Sequence, residues 1–370
     1  MARPRAKHEP IDDALSKTMA RALEPWFARE QRDMPWRRTR DPYAIWVSEI
    51  MLQQTRVETV VRHYDGFVRR FPTVAALAAA DEQAVLEQWS GLGYYRRARL
   101  LHRGARDVVE RFEGRVPDEA EALRSIPGVG DYTAGAIASI AFDRPAPLVD
   151  GNVARVLSRV ECIEDPKQQA ATARRHWQRV AGILQHGTPR VLAQALMELG
   201  ATVCTSRSPR CLQCPLRASC AAQRSGRQAE IPAPRKKVAQ PVTQWLALAA
   251  TWKGRLLLVR RPAEGLLADL WCLPMVPTLA PERLDADALG TGFSVPLRWA
   301  DAVLPEVRHV FTHRIWQVHA VLGRAARKPR WTELPADRHC YIEPGQRPPG
   351  GLPRVTAKLL ERVGFSAGDD

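Results

Sequence analysis

The 370-residue chain has no run that reaches the roughly 18 apolar residues of a membrane-spanning helix. Its first residues, MARPRAKHEPIDDALSK, are basic and polar and lack the apolar core of a secretory signal. We therefore expect no membrane partner and a cytoplasmic location. No internal repeat is visible, which leaves an ordinary globular protein of two or three domains at this length.

Cysteine is scarce, and its count of seven is odd, which argues against a framework of disulfides. Four of the seven fall in the stretch CTSRSPRCLQCPLRASC with the spacing C-x6-C-x2-C-x5-C, a set of soft ligands suited to zinc or to an iron–sulfur cluster. Zinc ribbons usually pair two C-x2-C knuckles, and only Cys211 and Cys214 form one here. The residues alone leave both metals open, and the other cysteines indicate plain thiols: Cys162, Cys272 and Cys340.

Acidic residues are outnumbered, and the net charge is +15. Residues 1–240 contain 38 Lys and Arg against 27 Asp and Glu, whereas residues 241–370 contain 17 against 13. Such an excess is typical of proteins that bind phosphate backbones, although an arginine-rich composition would produce it too. We expect any polyanion-binding surface to lie mainly in the first part of the chain.

Two regions of different pattern follow each other along the chain. Up to about residue 222, apolar residues recur at three- and four-residue spacing, which predicts helices. The stretch SGRQAEIPAPRKKVAQP then has the composition of an extended linker. Beyond it, TQWLALAATWKGRLLLVRRP predicts two strands that turn at Lys253 and Gly254, FTHRIWQVHAVLG predicts another strand, and RVTAKLLERVGF predicts a helix. The second region is therefore α+β.

The segment LRSIPGVGDYTAGAIASIAF predicts a helix end, a glycine turn and a second helix. Gly128 and Gly130 let the backbone approach a ligand closely, and the N–H groups that open the second helix attract phosphate. A helix-hairpin-helix holds a DNA backbone in this way without reading its sequence. The alternative is an ordinary tight turn between two packed helices.

Two carboxyl groups could share the work of cleaving a glycosidic bond. Glu49 lies on a largely apolar helix stripe with Ile45, Trp46 and Leu52, where burial would raise its pKa and let it act as a general acid. Asp150 precedes the helix GNVARVLSRV, whose N–H groups favour its ionised form, suited to stabilising a cation. A solvated glutamate and an ordinary helix cap are the commoner fates of such residues.

Taken in order, several segments make residues 20–365 resemble the MutY family of adenine DNA glycosylases, within the endonuclease III superfamily. They are PWR, WVSEIMLQQTRV, WSGLGYYRRARLLH, IPGVGDYTAGAI, DGNVARVLSR, MELGATVCTSRSPRCLQCPL and RHVFTH. The resemblance implies a [4Fe–4S] cluster held by the four closely spaced cysteines, Cys204, Cys211, Cys214 and Cys220.

By position, the resemblance assigns Glu49 as the acid that protonates adenine at N7 and Asp150 as the stabiliser of the sugar cation or of a transient covalent adduct. Tyr132 and Asn152 match residues that line the same site. Bifunctional relatives carry a Schiff-base lysine where this chain has Tyr132, so a monofunctional enzyme is expected.

The resemblance also implies how the DNA is handled. Adenine must be flipped out of the duplex, and Gln54 and Tyr94 match the wedge residues of the family, although Gln53 and Tyr95 beside them leave each choice uncertain by one position. Arg207 and Arg210 lie between cluster cysteines, where they could meet phosphates. The second region resembles the Nudix-like domain that recognises 8-oxoguanine, with FTH in place of Phe-Ser-His, and its candidate lesion contacts are Phe311, Thr312 and His313.

The expected architecture is an all-α helix-hairpin-helix glycosylase domain with a [4Fe–4S] lobe, followed by an α+β Nudix-like domain. We place the glycosylase domain at residues 1–225, the linker at 226–241 and the Nudix-like domain at 242–370. Within the first, residues 32–140 form a six-helix lobe, and residues 1–31 and 141–225 form the cluster lobe.

The expected activity is a monofunctional adenine DNA glycosylase, a monomer of bacterial type associated with the nucleoid, acting on adenine opposite 8-oxoguanine or guanine in duplex DNA. Three rivals are a glycosylase for thymine mismatches or oxidised pyrimidines, a non-catalytic DNA-binding or redox-sensing protein, and a nucleotide-pool hydrolase. The FTH motif disfavours the first, and Glu49, Asp150 and Tyr132 together disfavour the second. The third is disfavoured because no Arg-Glu-x-x-Glu-Glu motif follows Gly265.

Overall fold

A computed structural model describes residues 12–165, 169–233, 239–278 and 291–365. By their contacts, these residues form two compact units, one made of residues 1–78 and 103–237 and the other of residues 79–102 and 238–370. The first eleven residues, placed above in the cluster lobe, and residues 234–238 of the expected linker lie outside the described residues. No helix in the described part of the chain is long and apolar enough to cross a membrane.

The region before the linker is helical, as its apolar spacing predicts. The helices are α1 Asp13–Glu30, α2 Pro42–Leu52, α3 Val57–Arg70, α4 Val74–Ala79, α5 Glu82–Gln88, α6 Arg96–Phe112, α7 Ala120–Arg124, α8 Asp131–Phe142, α9 Gly151–Val160, α10 Ala170–Leu184, α11 Pro189–Thr202 and α12 Ala221–Arg224. Short 3-10 turns add Pro35–Arg37, Cys211–Gln213 and Arg217–Ser219.

Two apolar stretches of the sequence each fold as a pair of helices. AIWVSEIMLQQTRVETVVRHY divides into α2 and α3, because the chain turns out of helical geometry at Gln53 and Gln54. VAALAAADEQAVLEQW divides into α4 and α5, because the Asp81 side chain accepts hydrogen bonds from the N–H groups of Gln83 and Ala84 and begins a new helix.

The first unit is built around a core to which α1, α8, α9, α10 and α11 contribute fully buried side chains. The helices approach closely where glycine allows it. A Cβ at Gly200 of α11 would lie 2.6 Å from the Cβ of Asn152 in α9, and one at Gly135 of α8 would lie 1.9 Å from the Pro147 carbonyl oxygen. These contacts hold the end of α11 against the start of α9, and α8 against the segment that leads into α9.

After the linker, the described residues of the second unit form a mixed sheet of eight strands and one helix. The strands are β1 Val242–Trp252, β2 Arg255–Arg260, β3 Trp271–Cys272, β4 Met275–Pro277, β5 Leu297–Trp299, β6 Leu304–Val310, β7 Ile315–Ala325 and β8 His339–Ile342, and helix α13 spans Arg354–Arg362. The predicted turn joins β1 to β2, with Lys253 and Gly254 both at positive φ.

In this sheet the order is β3-β2-β1-β7-β5, with β4 on β1, β6 on β7 and β8 on β2. β1 and β7 run parallel, with Val242 opposite Ile315, and the other pairs are antiparallel. Apolar side chains on both faces of the sheet are buried, and α13 covers one of those faces. The α+β composition predicted for this region is confirmed.

Residues 79–102, which the sequence placed in the six-helix lobe, belong to the second unit and contact its later residues. The Tyr95 hydroxyl donates to the Leu352 carbonyl oxygen at 2.7 Å, and the Arg99 guanidinium donates to the Ala268 carbonyl oxygen at 2.7 Å. This segment is therefore continuous with the helical sequence but packs with the sheet-containing part of the chain.

Candidate active site

Glu49 lies on α2, which begins with the Asp41 side chain accepting a hydrogen bond from the Tyr43 N–H and with Pro42 in the first turn. Nine residues of this helix are buried, and Glu49 is only 4% exposed. Burial is the largest influence on its carboxyl group and raises its pKa to about 7. A carboxyl with this pKa is partly protonated at neutral pH and can donate a proton.

The Tyr132 hydroxyl reaches Glu49 from α8, the helix that follows the glycine turn. It donates a hydrogen bond to Glu49 Oε2 at 2.8 Å and lies 3.1 Å from the sulfur of Met197. Burial raises the pKa of Tyr132 well above its ordinary value, so the phenol remains neutral and acts as a donor. Its hydrogen bond favours the charged form of Glu49 and opposes part of the burial effect.

Asp150 forms the N-cap of α9 and lies within electrostatic range of Glu49. Asp150 Oδ1 accepts from the N–H groups of Asn152 at 2.9 Å and Val153 at 2.7 Å, and Oδ2 accepts from Asn152 Nδ2 at 2.9 Å. The negative charge of Asp150 adds to the burial that raises the pKa of Glu49. The first unit thus brings the two predicted carboxyl groups, Tyr132 and Asn152 into one neighbourhood.

A buried ion-pair network that the sequence did not predict lies beside these residues. Glu198 of α11 is 1% exposed and accepts hydrogen bonds from Arg32 at 2.8 Å and from Arg37 at 2.8 Å. Burial alone would raise the pKa of Glu198, but hydrogen bonds from both arginines lower it to about 2. The Arg37 charge also lowers the pKa of Glu49. The segments PWR and MELG carry Arg37 and Glu198, but their separation in sequence conceals this ion pair.

Arg155 extends the contacts of Asn152 to the cysteine loop. Its guanidinium donates to Asn152 Oδ1 at 2.9 Å, to the Gly200 carbonyl oxygen at 2.7 Å and to the Cys204 carbonyl oxygen at 2.8 Å. One side chain therefore joins α9, α11 and the beginning of the loop. The orientation of the Asn152 side chain therefore depends on the positions of all three segments.

The predicted hairpin is present between α7 and α8. Gly128 has a φ of +85°, and the Val129 N–H donates to the Ile126 carbonyl oxygen at 3.1 Å. Gly130 is the N-cap of α8; no side chain caps the helix there, and a Cβ would meet nothing within 4 Å. The first N–H groups of α8 are thus approached over open space, which suits contact with a phosphate.

The two members of each candidate wedge pair, Gln53 with Gln54 and Tyr94 with Tyr95, differ in their surroundings. Gln54 has a φ of +57° and is exposed, whereas Gln53 donates through Nε2 to Thr133 Oγ1 at 3.3 Å. Tyr94 has a φ of +48° and is 48% exposed, whereas Tyr95 is 6% exposed. Left-handed backbone is costly for such residues, and it turns Gln54 and Tyr94 toward solvent.

Four cysteines, Cys204, Cys211, Cys214 and Cys220, share one loop after α11. Burial is the largest influence on the Cys214 thiol and raises its pKa to about 12. The charges of the other three cysteines raise this pKa further, so the four thiols lie close enough to affect one another. The guanidinium of Arg159, 3% exposed, donates to Cys204 Sγ at 3.3 Å. Among residues 12–165, 169–233, 239–278 and 291–365, no three His, Cys, Asp or Glu side chains converge as direct metal ligands.

Of the loop arginines, Arg207 and Arg210 are both exposed. Arg210 is held to the loop itself, because its N–H donates to the Val203 carbonyl oxygen at 2.9 Å and its guanidinium donates to the Thr202 carbonyl oxygen. Leu212, next to Cys211, is 82% exposed. The loop therefore presents both cationic and apolar side chains to solvent.

The FTH motif forms the turn between β6 and β7 in the second unit. Phe311 is partly buried, and its ring packs edge-on against Trp316 at 4.9 Å between centroids. Thr312 and His313 are exposed, and Gln240 Nε2 donates to the Thr312 carbonyl oxygen at 2.8 Å. Thr312 Oγ1 lies 3.5 Å from the Tyr94 hydroxyl, so this unit brings a predicted wedge residue and a predicted lesion contact together.

Comparison with known proteins identifies both regions. Residues 47–181 match the model of the HhH-GPD superfamily base excision DNA repair proteins, and residues 246–362 match the NUDIX domain. A thermostable thymine-DNA glycosylase shares the fold of the helical region with a TM-score of 0.52 and 27% identity, covering 58% of this chain and 98% of that one. An endonuclease III in a trapped DNA complex has a TM-score of 0.50 at 20% identity, covering 59% of this chain and 99% of that one. The expected fold class is confirmed.

Curated relatives extend over most of the chain. The adenine DNA glycosylase of Rattus norvegicus is 38% identical over 86% of this chain and 73% of its own length. That of Homo sapiens is 38% identical over 79% of this chain, which spans 64% of the human protein. That of Mycobacterium tuberculosis is 41% identical over 65% of this chain and 78% of its own length. The chain belongs to the MutY family of adenine DNA glycosylases.

Proposed function

We propose that the protein is a monofunctional DNA glycosylase that removes adenine opposite 8-oxoguanine or guanine in duplex DNA. The observation that carries this proposal is the array of the buried Glu49 with the partly buried Tyr132 and Asp150, in which one carboxyl is partly protonated at neutral pH and the other caps a helix. Paired carboxyl groups held in different environments divide acid and stabiliser roles in glycosidic-bond cleavage. The family to which the chain belongs supplies the base, adenine.

In the proposed reaction, Glu49 donates its proton to N7 of the flipped adenine as the bond to C1′ breaks. The bonding electrons leave with the base, and Asp150 stabilises the cationic sugar, or a transient covalent adduct, until water adds at C1′. The water gives one proton to the Glu49 carboxylate, which restores the acid, so the products are adenine and an abasic site. Tyr132 orients Glu49 through its 2.8 Å hydrogen bond, and Asn152 holds Asp150 through Nδ2.

Binding of the duplex would rest on the backbone of the glycine turn and on four exposed side chains. The Gly128 and Gly130 turn and the first N–H groups of α8 offer a phosphate contact, and Arg207 and Arg210 add positive charge from the cysteine loop. Gln54 and Tyr94 are the exposed members of their pairs and are the wedge candidates that would occupy the space left by the flipped base.

Recognition of 8-oxoguanine would fall to the β6–β7 turn. Thr312 offers a hydroxyl, and its neighbours Phe311 and His313 offer an aromatic face and a ring nitrogen. The packing of Phe311 on Trp316 and the bond from Gln240 fix the turn, so its side chains need little ordering when DNA binds.

The four loop cysteines would hold a [4Fe–4S] cluster. Their chemistry fits such a group, since four thiols of one loop lie in each other's field beside the Arg159 guanidinium, which can offset thiolate charge. Bound there, the cluster would supply a rigid cross-link for the loop that carries Arg207 and Arg210. Analysis of the purified protein should give about four iron and four acid-labile sulfide per chain, whereas one zinc per chain would refute this assignment.

Excision from defined duplexes tests the activity. The protein should release adenine from duplexes with adenine opposite 8-oxoguanine and opposite guanine, and strand breaks should appear chiefly after alkali because no lysine occupies the Tyr132 position. A duplex with thymine opposite guanine is the matched control. Release of thymine without release of adenine would refute the proposed substrate, and breaks of equal yield without alkali would refute a monofunctional enzyme.

A further inference from the structure

We propose that Tyr95 and Ser90 are positioning residues for lesion specificity, because they fasten the segment that carries Tyr94 to the sheet that carries the FTH turn. This inference rests on the proposed function and concerns how the same enzyme distinguishes 8-oxoguanine from guanine. Both residues belong to the segment of residues 79–102, which packs within the second unit. Neither has a place in the proposed chemistry.

The fastening is a two-point grip on the backbone of one residue. The Tyr95 hydroxyl donates to the Leu352 carbonyl oxygen at 2.7 Å, and the Leu352 N–H donates to Ser90 Oγ at 3.2 Å. Tyr95 is 6% exposed, and burial raises its pKa, so its hydroxyl stays protonated as a donor. Two bonds to the same residue fix both the position and the orientation of its peptide groups.

The gripped backbone is itself attached to the sheet. The N–H of Trp271, in β3, donates to the Gly351 carbonyl oxygen at 3.1 Å, and its indole N–H donates to the Pro349 carbonyl oxygen. A Cβ on Gly351 would lie 3.0 Å from Tyr95 Cε1 and 2.7 Å from Leu270 Cδ2. Residue 351 therefore has to be small for the Tyr95 ring to come this close. The hydrogen bonds to Leu352 consequently tie the position of Tyr95 to that of β3.

The two adjacent tyrosines, Tyr94 and Tyr95, contact different parts of the second unit. Tyr94 is 48% exposed with a φ of +48°, and its hydroxyl lies 3.5 Å from Thr312 Oγ1. The Arg97 guanidinium lies 5.4 Å from the Tyr94 ring centroid and donates to the Gly93 carbonyl oxygen at 3.1 Å, which holds the turn. Because Tyr95 is the next residue, any shift at Leu352 moves Tyr94 relative to Thr312. Loss of the grip should reduce recognition of the lesion and spare the excision of adenine.

The test compares single-turnover excision of adenine opposite 8-oxoguanine with that opposite guanine. Tyr95→Phe removes the donor to Leu352 together with the longer contact of the hydroxyl to Ser90 Oγ at 3.4 Å. We expect the ratio of the two rates to fall roughly fivefold, the effect of one hydrogen bond of average net strength. The rate opposite guanine should remain within about twofold of wild type. Ser90→Ala should lower the ratio in the same direction, as should Gly351→Ala, which displaces the Tyr95 ring without removing its hydroxyl.

Tyr341→Phe is the matched control, since the Tyr341 hydroxyl also donates to a backbone carbonyl oxygen, that of Pro329, within the same unit. This variant should keep the wild-type ratio, and thermal unfolding of both variants shows whether their stabilities are comparable. An unchanged ratio in Tyr95→Phe, or an equal fall of both rates, would overturn the inference while the excision activity of the wild type still stands. A wild-type protein that releases no adenine would instead overturn the proposed function.

Discussion

The acid site of the first unit and the β6–β7 turn of the second contrast in burial. Glu49 is 4% exposed and accepts a hydrogen bond from the partly buried Tyr132, whereas Thr312 and His313 are exposed and the Thr312 carbonyl oxygen accepts a hydrogen bond from Gln240. A shifted pKa requires a desolvated carboxyl, which only a buried site provides. A contact that must read a base in DNA has to remain accessible before the DNA arrives.

The two proposed tasks, proton donation and lesion recognition, therefore depend on different physical effects. Helix packing in the first unit is used to tune and orient a proton donor, so changes there should affect the chemical step by large factors. In the proposed function, the second unit contributes contacts that form on DNA binding, and each of them exchanges water for DNA and has a modest net effect. Substitutions in the two regions should therefore differ in size and in which measurement they alter.

The largest expected effect is that of Glu49→Gln. An amide cannot donate the proton, so single-turnover excision should fall by about 100- to 10,000-fold while binding to the mismatched duplex is retained. Glu110→Gln, on the exposed surface of α6, is the matched control and should react as wild type. Near-normal excision by Glu49→Gln would remove Glu49 from the acid role.

The pH profile tests how the buried site is tuned. In the proposed reaction Glu49 acts in its protonated form, and its pKa is about 7, so the excision rate should decline as the pH rises above about 7. The Tyr132 hydroxyl favours the charged carboxylate; Tyr132→Phe should therefore raise the pKa and shift the declining limb upward by about one pH unit.

Tyr43→Phe provides the control for this shift. It removes another buried hydroxyl on the same helix, which donates to the Phe71 carbonyl oxygen at 2.7 Å, without touching Glu49. Its profile should match wild type. A shift of the limb to lower pH in Tyr132→Phe would contradict the proposed role of the phenol.

A smaller effect is expected at the recognition turn. Thr312→Ala should reduce the preference for adenine opposite 8-oxoguanine over adenine opposite guanine by roughly fivefold, the effect of one hydrogen bond. Thr332→Ala removes another exposed hydroxyl in the same unit, which bonds the Gly292 carbonyl oxygen, and should leave the preference unchanged. Equal discrimination by wild type and Thr312→Ala would discard the contact.

The smallest effect concerns the cysteine loop. Arg207→Ala should lower the slope of log affinity against log salt concentration by about 1, because one phosphate contact is lost. Arg207→Lys keeps the charge and should keep the slope, as measured by titration of labelled duplex at several salt concentrations. Identical slopes for wild type and Arg207→Ala would place Arg207 outside the DNA interface.

Local sequence was sufficient for several elements of the site. The glycine turn before α8, the Asp150 cap and the Lys253-Gly254 turn depend on interactions between residues a few positions apart, and each is present as predicted. The ion pair of Glu198 with Arg32 and Arg37 could not be derived in the same way, because more than 160 residues separate Arg32 from Glu198. The same holds for the packing of Tyr95 on Leu352, 257 residues away.

The sequence by itself determined the helical and α+β regions, the glycine hairpin and the spacing of the cysteines, and it singled out Glu49 and Asp150 as candidates, because these features follow from periodicity and short-range chemistry. Only the tertiary structure decided that Glu49 is desolvated and bonded to Tyr132, that Gln54 and Tyr94 are the exposed members of their pairs, and that residues 79–102 pack with the second unit. Burial and exposure depend on which distant segments meet, and so does the acidity that a buried carboxyl acquires.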